Sequence, residues 1–168
     1  MPEDFHVDMS GKLSRTSTVG IACLSPALKL HSGCALSGEL LKDLRKKLFA
    51  PTASLKRENA KIYAICIYLL INDRRPQIKR LIICNDENFE LVKAYLSLLL
   101  EPNSITFEII NIGDLRKIFG RNFKSPADKY ANKYRQRALE ERNWEKGTAL
   151  SVVKVDYKIL SDHLKSLE

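Results

Sequence analysis

Four acidic side chains stand where carboxylate chemistry would be useful: Asp8, Glu58, Asp86 and Asp128. Asp8 closes the stretch DFHVDMS, Glu58 lies early in the long apolar-periodic stretch SLKRENAKIYAICIYLLIND, Asp86 follows the run LIIC almost at once, and Asp128 follows the Ser125–Pro126 pair of SPADKYANKYRQRALEERNW. Carboxylates that converge from separate segments offer hard oxygen ligands to divalent cations. Two such cations can activate a water and stabilise the leaving oxygen of a phosphodiester during in-line displacement. That chemistry needs no side-chain nucleophile, in keeping with a chain whose His6, His31 and His163 form no nucleophile–base pattern.

Each acid also has an ordinary local explanation. Asp8 suits a turn at a strand end. Glu58 shares a helical stripe with Leu55, Ile62, Ile65 and Leu69, which directs its carboxylate towards the sheet, where an unpaired acid is costly. A salt bridge would resolve that cost, and so would a metal cluster. Asp86 is well placed to cap the helix that follows it, and Ser125, Pro126 and Asp128 resemble a capping box. His6, two residues before Asp8, shares its sheet face in a strand.

The elements that must position these acids follow from periodicity. DFHVDMS, STVGIACLS and ALKLHSGCAL read as three strands with short, hence antiparallel, connections, the first of them a polar turn from Gly11 to Thr16. SGELLKDLRKKLF places Leu40, Leu41, Leu44 and Leu48 on one helical face, with Lys42, Arg45 and Lys46 opposite. After the breaker Pro51 comes the long helix, with Ser54 as its cap. RLIIC reads as a strand covered on both faces, NFELVKAYLSLLL as a helix ended by Pro102, SITFEIINI as a fifth strand, and SPADKYANKYRQRALEERNW as a further helix. Helical crossovers make the later strands parallel and cover both faces of the sheet.

Composition bounds the rest. A chain of 168 residues is the usual size of one domain and buries a core without disulfides. Lys+Arg 28 against Asp+Glu 20 gives a net charge of +8, which favours a polyanionic partner such as nucleic acid. Cys23, Cys34, Cys66 and Cys84 sit among apolar neighbours without metal-ligand spacing, as expected of buried thiols in a reducing compartment. The N-terminus lacks a leader pattern and no apolar run is long enough to span a bilayer, so the expected location is cytoplasmic, with no membrane partner.

Taken in order, the strings VDMSG, KRENAKIYAI, CNDENFEL and PADKYANKY resemble the four acid-bearing motifs of the ribonuclease H-like superfamily, closest in element order to type 1 ribonuclease H. The resemblance spans roughly Phe5 to Ala138. It implies an α/β fold with a five-stranded mixed sheet of order 3-2-1-4-5 and helices on both faces. It also implies two Mg²⁺ or Mn²⁺ ions held by Asp8, Glu58, Asp86 and Asp128, and hydrolysis of the RNA strand of RNA/DNA hybrids. A DNA-junction resolvase or transposase-like nuclease, or a non-catalytic nucleic-acid-binding module of the same fold, stands as the alternative.

Three features depart from the family pattern. NIGDLRKIFGRNFKS lacks the usual loop histidine, leaving Arg121 and Lys124 as the expected substitutes. The glycine-rich turn after the first acid is reduced to Gly11. The ELLKDLRKKLF segment is an insertion whose Lys42, Arg45 and Lys46 are expected to contact phosphates. The family-like domain is expected to cover residues 1–146, and residues 147–168, read as a strand and a short helix, form a C-terminal extension.

Overall fold

The computed structural model describes residues 1–15, 17–50, 54–139 and 151–168. Thr16 of the first turn, the breaker Pro51, the last residues of the expected helix over 125–144 and the first residues of the C-terminal extension lie outside them. The strands are β1 (Glu3–Ser10), β2 (Val19–Ser25), β3 (Leu30–Leu36), β4 (Ile78–Ile83) and β5 (Glu108–Asn111). The α-helices are α1 (Gly38–Leu48), α2 (Leu55–Ile71), α3 (Phe89–Leu100), α4 (Ile112–Phe119), α5 (Asp128–Leu139) and α6 (Tyr157–Ser166). The strands form one open sheet of order β3-β2-β1-β4-β5. The pairs β1–β2 and β2–β3 are antiparallel, whereas β1–β4 and β4–β5 are parallel.

Alternation divides the sheet into two faces. Phe5, Val7 and Met9 of β1 and Leu81 and Ile83 of β4 enter the main core with the buried faces of α1, α2, α3 and α6. His6 and Asp8 point the other way, as do Ile82 and Cys84, which pack with Ile112 and Leu115 of α4. On that second face α5 lies very close to β2. A Cβ on Gly20 would fall 2.3 Å from the Ala131 carbonyl oxygen, so only glycine allows this approach. Ala131 packs on Ala22, the antiparallel neighbour of Asp8, which brings the first turn of α5 towards the end of β1.

One expectation changes. The stretch expected to be the loop after β5 contains α4, which Asn111 caps by accepting from the Gly113 N–H at 2.9 Å, with Ile112 and Leu115 buried at helical spacing. The C-terminal extension packs against the rest of the domain. Around Gly33 of β3, residues 151–153 add main-chain hydrogen bonds of 3.0 and 2.8 Å, and α6 inserts Leu160 and Leu164 into the main core. Each fully buried leucine contributes about 1.5–3 kcal/mol, enough to make this segment integral to the fold. No helix among the described residues is long and apolar enough to cross a membrane.

Candidate functional site

The parallel register between β1 and β4 ends at the pair Val7↔Ile83, and the Cys84 N–H donates to the Val7 carbonyl at 3.1 Å. Asp8 and Asp86 emerge just beyond, at the carboxyl ends of two adjacent central strands. Ligand atoms of Asp8, Cys84 and Asp86 all lie within 4.8 Å of one another. These residues line a cleft of about 400 Å³ together with Met9, Asn85, Arg116, Lys124, Ser125 and Asp128. The open α/β sheet thus presents its acids at the strand ends, where such sheets place their ligands.

Asp8 is only 7% exposed and accepts from its neighbour's main chain, the Met9 N–H, at 2.8 Å. Burial holds its carboxyl well above the usual range, and a hydrogen bond and the charge of Asp86 reinforce the shift. Asp86 stands at the open mouth of the cleft, yet its pKa is also raised, first by loss of hydration against the cleft walls and then by the charges of Glu87 and Asp128. Asp8 and Asp86 therefore behave as a pair that resists carrying two negative charges. Cys84 is pushed up too, chiefly by burial and then by the two aspartates, so it stays a neutral thiol beside them.

Capping does not explain Asp86. Asn88 is the N-cap of α3 and accepts from the Leu91 N–H at 3.0 Å, which leaves the Asp86 carboxylate to the cleft. Asp128 likewise is not needed as a cap acceptor, because Ser125 Oγ accepts from the Ala127 N–H at 3.2 Å. Asp128 is exposed and faces the same cleft.

Glu58 is elsewhere. It accepts from Lys61 Nζ at 3.3 Å and lines a separate cavity of about 190 Å³ between the end of α1, α2 and α6. The apolar stripe misdirected the expectation because α2 is buried almost all round beyond its first turn, while Leu55, which opened the stripe, is 47% exposed. Asn59 and Tyr63, four residues apart, are buried on α2, where Glu58 is half-buried. Asn59 accepts from Arg45 Nη2 at 3.0 Å. Tyr63 is fully buried, its hydroxyl finds no hydrogen-bond partner among the described residues, and its pKa is raised well above the ordinary value by burial first and then by Asp86, Cys84 and Asp8.

The basic residues divide in the same way. Lys124 lines the cleft and Arg121 is exposed beside it. Arg116, unforeseen because α4 was unforeseen, also lines the cleft, and its Nε donates to the Phe123 carbonyl at 3.0 Å. Lys42 and Lys46 are exposed on α1. Arg45 is half-buried and structural: it donates to the Leu13 carbonyl as well as to Asn59, tying α1 to α2 and to the turn after β1. It also faces the charge of Glu87, whose own pKa burial raises to about 6 despite that guanidinium.

The donor set suits a hard divalent cation. Asp8, Asp86 and Asp128 offer carboxylate oxygens, and a cation between the first two would relieve the repulsion that holds both pKa values up. The Cys84 sulfur lies in the same group, and a soft sulfur adds little to the binding of a hard cation. No protein-family model matches the chain, and no curated protein or solved structure matches it.

Proposed function

We propose that this protein is a divalent-metal-dependent nuclease of ribonuclease H-like fold. The observation that carries the reading is the meeting of Asp8 and Asp86 at the carboxyl ends of β1 and β4, within a cleft that also contains Asp128. A sheet of order β3-β2-β1-β4-β5 with helices on both faces is compatible with that superfamily. The net charge of +8 supports a polyanionic substrate.

Asp8 and Asp86 would hold one Mg²⁺ or Mn²⁺, and Asp128 is the carboxylate available to a second. When bound, such ions activate a water and stabilise the leaving oxygen of the scissile phosphodiester. The protein's own residues do the rest. Lys124 and Arg116 supply positive charge to a phosphate in the cleft, and the hydrogen bond from Arg116 to Phe123 limits its freedom. The Met9 N–H fixes the Asp8 carboxylate, and the core beneath β1 and β4 excludes water from its rear. Element order favours the RNA strand of an RNA/DNA hybrid as substrate. A DNA-junction or transposase-like nuclease is the second reading, favoured by Arg116 and Lys124 occupying the cleft where the hybrid-cleaving pattern would use a histidine.

The deciding experiment is a cleavage assay on hybrid, duplex, single-stranded and junction substrates with Mg²⁺ and with Mn²⁺. Hybrid cleavage abolished by Asp86→Asn supports the first reading, and junction cleavage supports the second. Metal-insensitive binding without cleavage of any substrate would reduce the protein to a nucleic-acid-binding module.

A further inference from the structure

Beside the acid cleft, α4 ends in a surface that packing does not explain. Ile118 and Phe119 are 73% and 66% exposed, although they end a helix whose Ile112 and Leu115 are buried. Gly120, at φ +103 with open space around its α-carbon, stops the helix, and a turn closed by Phe123 N–H to Gly120 carbonyl at 3.2 Å follows. The turn brings the Phe119 and Phe123 rings to 5.9 Å between centroids. Phe123 is half-buried over His6, whereas Phe119 projects outward.

The surroundings are basic. Lys117 and Arg121, two residues before and after Phe119 in the chain, are exposed, Lys117 at 3.7 Å from Asp114, and Lys124 follows Phe123 into the acid cleft. The Arg116 bond to the Phe123 carbonyl ties the aromatic turn to the cleft wall. An exposed aromatic ring on a basic segment is poorly suited to an apolar partner. It suits a nucleobase, whose π-face stacks on the ring while its phosphates meet the cations.

We propose that Phe119, supported by Phe123, is a stacking step for an unpaired base next to the phosphodiester held at the acid cleft. The preferred substrate then carries a single-stranded or branched region beside the cleaved bond, in place of a continuous duplex. The inference rests on the nuclease reading and narrows its substrate class. A paired base, already stacked on both sides, gains nothing from Phe119. An unpaired one gains a partner.

The test measures affinity by fluorescence anisotropy, in Ca²⁺, for blunt DNA and hybrid duplexes and for the same duplexes carrying a short unpaired overhang with a fluorescent aminopurine. The full chain should prefer the overhang by about tenfold, the scale of one base–aromatic stack, and should quench the aminopurine. Phe119→Ala should lose both the preference and the quenching, and Phe119→Trp should retain them. Thermal melts of both variants check that the exposed position leaves the fold intact. Equal affinity of the wild type for blunt and overhanging substrates, or an undiminished preference in Phe119→Ala, overturns the stacking step while leaving the nuclease reading standing. Absence of binding to any nucleic acid at low salt defeats both. A concentration-dependent dimer lost in Phe119→Ala without change in substrate preference assigns the patch to self-association and overturns the proposal.

Discussion

Asp8 and Asp86, separated by most of the first half of the chain, meet because β1 and β4 are adjacent parallel strands whose pairing ends at Val7↔Ile83, just before both acids. Since Asn88 caps α3, Asp86 is not needed as its cap. Asp86→Asn should therefore keep or raise the stability of the metal-free protein, while divalent affinity and any cleavage collapse. Asn88→Ala should do the reverse, costing about 1 kcal/mol of stability and sparing metal binding. Chemical denaturation and calorimetric metal titration separate the two, and wild-type metal affinity in Asp86→Asn would sink the ligand assignment.

Glu58→Gln should behave unlike the aspartate variants. Its partner is Lys61, three residues along the same helix, so its loss should cost at most about 1 kcal/mol. Metal titration should be indistinguishable from wild type. A large loss of metal affinity would show that α2 moves to bring Glu58 to the cleft.

The aspartate pair also sets a pH dependence. Both pKa values are raised in the folded protein, so the fold binds its protons more tightly than the unfolded chain does. The pair's contribution to stability is complete below the ordinary carboxylate pKa and is lost as pH rises through the higher folded values. In EDTA, the melting temperature should fall as pH rises above the usual carboxylate range, and Mg²⁺ or Mn²⁺ should reverse that fall. Melts recorded across pH with and without metal give the answer; identical slopes would contradict it.

Arg45 should part company with its neighbours on α1. Removing its side chain leaves the Leu13 carbonyl and the Asn59 side chain without their donor, so Arg45→Ala should cost about 1–3 kcal/mol. Replacing Lys42 and Lys46 with Gln should leave the melt unchanged and weaken nucleic-acid binding, with a shallower salt dependence. Unchanged affinity in that double variant means the exposed face is merely solvated.

The C-terminal helix offers a simple check on the extent of the domain. Leu160 is fully buried in the main core, and Leu160→Ala should destabilise the whole protein by about 2–5 kcal/mol in a single transition. A separate early transition would instead mark residues 151–168 as an independent unit.

Much of the architecture was legible before any coordinates. Apolar alternation in β1 and β2, the unbroken run of β4 and the leucine spacing of α1 each reflect burial of one or both faces, which residue type records directly. Asp8 and Asp86 were legible as candidates for the same reason, since an acid at the end of a buried strand is conspicuous. The sequence by itself also carried the positive charge and the thiols without partners. Tertiary structure decided what spacing cannot express. Helical periodicity places Glu58 on a stripe, but when a helix is buried nearly all round, only its neighbours determine which stripe faces the sheet. Asn59 and Tyr63 are buried there, and Glu58 lies beside Lys61 at a cavity also lined by α6. Arg45 looked like a surface cation because helical spacing sets it opposite Leu40, and it became a half-buried strut because the Leu13 carbonyl lies within reach. The place of α6 in the core depends on apolar surface on α1 and α2, far away in sequence, that no local pattern in residues 151–168 reveals.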